Sequence, residues 1–139
     1  MPIFNPPQLV QTAIAKLGSN ITSTGAFGTI LTITITTTGG SIVSHATATS
    51  SNSANPAVNE FRIQIDGSTV ATGSSGWDGG SLSATSIQTS VALLGATAIA
   101  AGSHTITLQW TTTAGTGRIN GSTGTNGESA VLYVEEVTV

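Results

Sequence analysis

Phe61-Arg62-Ile63-Gln64-Ile65-Asp66-Gly67-Ser68-Thr69-Val70 decides the fold. Apolar and polar residues alternate with a period of two on both sides of Asp66-Gly67, the mark of two half-buried strands. Asp-Gly between such runs is a two-residue hairpin signal, because both central residues of that turn need positive φ. In the simplest register Ile65 faces Ser68 and Ile63 faces Val70, which puts the apolar residues on one face.

The same rhythm extends outward along the chain. Leu31, Ile33 and Ile35 alternate with Thr32, Thr34 and Thr36 before a turn at Gly39-Gly40. Threonine suits such a strand because its branched Cβ fits the pleated surface. The stretch from Ile42 to Thr49 returns with Ala46 and Ala48 on one side, and Ser50 to Asn59 reads as a polar loop with Pro56. Ile87, Thr89, Val91 and Leu93 alternate inward, as do Ile106, Leu108 and Trp110 after the turn Ala101-Gly102-Ser103. A Gly/Thr-rich loop from Thr111 to Glu128 holds a short strand at Arg118-Ile119, and Ala130 to Val139 closes the chain as a strand. Seven or eight short strands with glycine turns predict an all-β fold, an antiparallel β-sandwich of jelly-roll type. An immunoglobulin-like sandwich is the alternative, without the cysteines of antibody domains.

Residues 1–20 form a separate N-terminal arm in this reading, followed by a sandwich domain over 21–139. Asn5 can cap a helix that tolerates Pro6 and Pro7 in its first turn, carries Leu9, Ala13 and Leu17 on one stripe and stops at Gly18. The prolines equally favour an extended arm. Ile3, Phe4, Leu9, Val10, Ile14 and Leu17 are the candidate anchors of that arm on a partner.

Only 6% of the 139 residues are charged, against about a quarter in ordinary soluble proteins. Thr, Ser, Gly and Ala supply roughly half the chain, so the surface is built of hydroxyls and small groups. Charge repulsion protects such a surface poorly, which predicts association with copies of itself or with a larger assembly. Lys16, Arg62 and Arg118 are the only cations and make no basic patch, so nucleic acid is not an expected partner. No apolar stretch reaches membrane-spanning length, and no membrane partner is expected. The start of the chain lacks the pattern of a signal peptide, which predicts synthesis in a cytoplasm. The glycosylation-type triplets at Asn20 and Asn120 are therefore read as accidental.

Catalysis needs titratable groups, and few are present. The absence of cysteine removes disulfides, thiolate catalysis and zinc-finger ligation. No Gly-x-Ser-x-Gly elbow and no phosphate loop occurs. His45 and His104 would form a metal pair only if their strands were neighbours; otherwise His45 lies on a strand face and His104 beside a turn. Asp66 is explained by its turn. Glu135 and Glu136 point to opposite faces of a strand, where they discourage edge-to-edge pairing or meet Arg62 or Arg118 of another copy. Trp77 and Asp78, in a glycine-rich stretch, are the candidate ligand or partner loop, with the alternative that Trp77 folds back over the sandwich. No enzyme activity, metal or cofactor is expected.

Leu94 and Ala101-Gly102-Ser103-His104-Thr105-Ile106-Thr107-Leu108-Gln109-Trp110, followed by the Gly/Thr loop and Ser129-Ala130-Val131-Leu132-Tyr133-Val134-Glu135-Glu136-Val137, resemble small β-rich virion proteins of tailed bacteriophages. Ile63-Gln64-Ile65-Asp66-Gly67 with Val70-Ala71 is similar to their middle hairpin. The resemblance covers about the second two thirds of the chain. It implies a homotrimeric jelly roll that decorates and cements a capsid, with the major capsid protein as partner and the capsid surface of the virion as location. The alternative it implies is the receptor- or carbohydrate-binding head of a tail or head fibre. A short arm fits the capsid clamp, since fibre heads follow a long shaft.

Overall fold

The computed structural model describes residues 6–23, 25–54, 56–77, 89–119 and 130–138. Among them ten strands form: β1 (Gln8–Lys16), β2 (Ile21–Ser23), β3 (Gly28–Thr37), β4 (Gly40–Asn52), β5 (Ala57–Ile65), β6 (Ser68–Trp77), β7 (Thr89–Ile99), β8 (Gly102–Thr112), β9 (Gly117–Ile119) and β10 (Ala130–Thr138). The eight long strands pair in two antiparallel sheets, β1-β10-β4-β7 and β3-β8-β5-β6. Apart from the β5–β6 hairpin, successive long strands alternate between the sheets, which gives the jelly-roll order. The short β9 and β2 extend the first sheet beyond the end of β10.

Period-two patterning places the core. Ile63, Ile106, Leu108, Leu132 and Val134 are fully enclosed between the sheets, and Phe61 stacks on Trp110 with ring centroids 6.1 Å apart. Each such side chain contributes about 1.5–3 kcal/mol by leaving water. Ala46 and Ala48 turn inward, as do Ile33 and Ile35. Ile87 lies outside the described residues.

The Asp66-Gly67 hairpin forms with φ of 49° and 83°. Its register departs from the simplest one: Ile65 faces Ser68, but a bulge sets Ile63 opposite Ala71. Val70 is the extra residue, and it leans on the neighbouring sheet at Gly95.

Within the N-terminal segment, Gln8–Lys16 is extended, not helical, and is part of the sandwich. Gln8–Lys16 pairs along β10, from Gln8 opposite Thr138 to Lys16 opposite Val131. Backbone pairing on the edge of β10 outweighs the weak propensity of a short helix. Positions four apart share a face on a strand as on a helix, so Ala13 and Leu17 still go inward. A bulge between Leu9 and Gln11 resets the alternation and turns Leu9 out to water.

Because β1 covers β10, the Glu135-Glu136 strand is internal to its sheet and guards no edge. The two carboxylates do take opposite faces: Glu136 is fully buried and Glu135 lies on the outer face.

The two sheets approach closely where β6 crosses β7. A Cβ at Gly95 would stand 2.7 Å from Val70 Cγ2 and 3.3 Å from both Ala71 Cβ and Ser44 Oγ. Gly95→Val is expected to destabilise the fold by about 1–3 kcal/mol through overpacking, read as a lower urea midpoint.

Candidate functional site

Three places in the sandwich concentrate chemistry: one end of the barrel-like stack, the outer side of the β3-β8-β5-β6 sheet, and the outer side of the β1-β10-β4-β7 sheet.

At the end where the β3–β4, β5–β6 and β7–β8 turns meet, His104 joins two of them. Its Nδ1 donates to Asp66 Oδ2 at 2.6 Å and its Nε2 to the Ala100 carbonyl at 3.0 Å. Two acceptors on one ring match the imidazolium, in which both nitrogens are donors. Asp66 holds the turn with its other oxygen, accepting from Thr105 N at 2.9 Å. The hydrogen bond to Asp66 raises the His104 pKa above 6.5, and the bond from His104 lowers that of Asp66 below 3.8. With neither ring nitrogen open to a substrate, the pair acts as a clasp.

Glu136 lies beneath this clasp. Burial pushes its pKa up, but hydrogen bonds from Gln11, Thr38 and the Gly39 backbone outweigh burial and hold it below 4.5. Gln11 Nε2 donates to Oε2 at 2.6 Å, and Thr38 N and Oγ1 donate to Oε1 at 2.7 and 2.8 Å. Gln11 also reaches the Thr36 carbonyl at 2.6 Å, tying β1 across to β3. His45 projects from the other sheet, its ring tilted against Tyr133 at 5.9 Å, so the two histidines do not meet as a metal pair. Among the described residues no three His, Cys, Asp or Glu side chains group as metal ligands.

On the outer side of β3-β8-β5-β6, hydroxyls dominate. Arg62 donates from Nε to Gln109 Oε1 at 2.8 Å and lies 3.9 Å from the centre of the Phe27 ring. This holds Phe27 out on the surface, beside an open cleft of about 350 Å³ lined by Glu60, Phe61, Thr72, Gly73 and Ser74. A second cleft, of about 470 Å³, runs from Ile21 to Thr29 along Trp110. Phe27 escaped the sequence reading because it stands outside any alternating run.

Of the predicted arm anchors, Leu9, Val10 and Ile14 are exposed on β1, at 60%, 42% and 57%. Leu17 is buried in the core and unavailable to a partner. Ile3 and Phe4 lie outside the described residues. Trp77 ends β6 opposite Ala57, and Asp78 lies outside the described residues.

The third place, the outer face of β1-β10-β4-β7, carries Ile14, Tyr133, His45 and Leu94 in one row across four strands. The signal for it in the sequence is Leu93-Leu94: in a strand, adjacent leucines face opposite sides, so one must lie outside the core.

No protein-family model and no curated protein matches the chain. Among solved structures it is similar to dimeric latent PorU from Porphyromonas gingivalis, with 10% identity and a TM-score of 0.55 over 92% of this chain and 12% of that one. It is more remotely similar to the VP2 protein of infectious bursal disease virus, with 17% identity and a TM-score of 0.49 over 94% of this chain and 36% of that one. The C-terminal domain of EclA, a sugar-binding protein, aligns with 11% identity and a TM-score of 0.36 over 99% of this chain and 81% of that one. The chain thus spans about an eighth of PorU and about a third of VP2. The likeness to PorU shows the β-sandwich fold.

The clasp and the buried carboxylate set a pH window. Asp66 and Glu136, with lowered pKa values, contribute stability above 3.8 and 4.5 that is lost as pH falls through their folded values. His104, with a raised pKa, contributes fully below 6.5 and loses that contribution as pH rises through its folded value. Thermal melts across pH are expected to peak between these limits, and His104→Asn is expected to flatten the alkaline decline.

Proposed function

We propose that this chain is a structural virion protein of the capsid-decoration type, which binds the outside of a phage head as a homotrimer and stabilises the shell without catalysing a reaction. The observation that carries this reading is the exposed apolar strip on β1, an edge strand whose far side pairs with no described strand. Leu9 and Val10 stand out from it near the bulge. Such an edge offers backbone hydrogen bonds as well as apolar side chains to a neighbouring protein. The near absence of charge supports adhesion by burial. The major capsid protein is the partner in this reading. Leu9 and Val10 carry no charge, so shape and burial would set the fit.

A receptor- or carbohydrate-binding head is the second reading, favoured by Phe27. An exposed ring fixed by Arg62, next to the Glu60 carboxylate and the Thr72 and Ser74 hydroxyls, offers a stacking surface with hydrogen-bonding groups at its side.

Because Gln11–Leu17 are integral to the sandwich, the test of the first reading alters only the outward side chains. Leu9→Asp with Val10→Asp is expected to weaken co-sedimentation with undecorated heads roughly tenfold or more, given about 1.5–3 kcal/mol per buried aliphatic side chain. Unchanged binding overturns the clamp. For the second reading, Phe27→Ala is expected to abolish retention on host glycans while head binding is unaffected.

A further inference from the structure

Trp110 carries a polar group that the fold leaves unused. The residue is 2% exposed, stacked on Phe61, with the tip of its ring at Gly117, where a Cβ would stand 2.8 Å from Cζ3. Its indole N–H can only donate, and among the described residues no acceptor takes it up. A buried donor without a partner is rare and costly, so its surroundings call for an explanation. Trp110 lines the cleft of about 470 Å³ at the end of the sandwich away from His104, a volume in the range of ligand sites.

Two strand edges form the walls of that cleft. Among the described strands β2 pairs only with β9 and β3 only with β8, so each keeps one edge without a neighbour. Ile21, Thr22 and Ser23 all border the cleft, as do Gly28 and Thr29. Successive side chains of a strand point to opposite faces, so a cleft that touches every residue in turn runs along the strand's edge and meets its backbone. The floor is fixed. The Gly25 carbonyl accepts from Ser23 Oγ at 3.0 Å and from Thr111 Oγ1 at 2.6 Å, which pins the β2–β3 connection to β8. Every described residue that lines the cleft is uncharged.

We propose that this cleft receives an extended, uncharged peptide segment of a partner protein, which lies as an added strand between the edges of β2 and β3 and gives a backbone carbonyl to Trp110 Nε1. Strand addition uses both features that the fold itself does not consume: the open edges supply main-chain hydrogen bonds, and the indole supplies a donor. A sugar would satisfy the indole but has no use for two backbone edges, and an anion finds no cation on the walls. The pinned floor reduces the ordering that binding has to impose. This goes beyond the capsid strip on β1 and involves different residues. Its test uses the purified chain without heads, so the two outcomes are separate.

NMR titration of the isotope-labelled chain with the capped peptide acetyl-Thr-Val-Ala-Val-Thr-amide, at millimolar concentration, is the direct experiment. It reads the Trp110 indole proton, told apart from that of Trp77 by Trp77→Phe. The peptide is expected to shift that resonance together with the backbone amides of Ile21–Ser23. Methylating the nitrogens of both valines in the peptide is expected to weaken binding roughly tenfold or more, because their N–H groups pair with an edge. Gly28→Val fills the cleft from within, since a Cβ at Gly28 meets nothing within 4 Å, and is expected to weaken binding to a similar degree with an unchanged melt. No shift of the indole, or binding that Gly28→Val leaves unchanged, overturns the proposal. A shift given by glucose or galactose and not by the peptide overturns it too, and assigns the cleft to a sugar. Should Gly28→Val fail to fold, the native chain decides: equal binding of the methylated and unmethylated peptides overturns the proposal.

Discussion

Burial of alternate side chains between two sheets is the interaction on which this protein depends. With so few charges and no disulfide, stability comes from apolar contact and from pairing every polar group that the core encloses. Phe61 on Trp110, with Ile63, Ile106 and Leu108 around them, fills the centre. At one end Asn52 donates to Asn59 Oδ1 and Thr112 Oγ1, and Asn59 donates to Ser50 Oγ, so amides and hydroxyls that would be costly alone satisfy one another.

The open sides of the sandwich are closed by different means. Gln11 bridges from β1 to the Thr36 carbonyl of β3 while donating to the buried Glu136. On the other side Gly95 admits Val70, so closure there depends on the lack of a side chain. The β1 bulge serves the first closure: it places Gln11 where its amide reaches both partners and leaves Leu9 facing solvent. A single local irregularity therefore both seals the core and creates the exposed strip on which the proposed capsid contact rests.

Function in this reading is a property of surfaces. Two of the titratable groups are engaged in structure: His104 has both nitrogens bonded, and Glu136 is enclosed among donors. What remains outward is one face of hydroxyls, one apolar face, an apolar edge and a cleft beside Phe27. These are the surfaces that the proposed function would use.

The sequence by itself determined most of the long strands after Gly28, their inward faces and the hairpin at Asp66-Gly67, because alternation and positive-φ turn chemistry are local and are written residue by residue; it read Ser50 to Asn59 as a loop, where β4 runs on to Asn52 and β5 already starts at Ala57. It also told that Glu135 and Glu136 must part to opposite faces. Tertiary structure alone decided that Gln8–Lys16 is a strand, since Ala13 and Leu17 satisfy either period and only the free edge of β10 chooses between them. The fate of Glu136 was decided in the same way: its donors come from β1 and from the β3–β4 turn, about a hundred residues away or more in the chain. Pairing between distant segments converts a carboxylate that reads as a surface charge into a buried anchor, and no pattern within β10 records which donors will meet it.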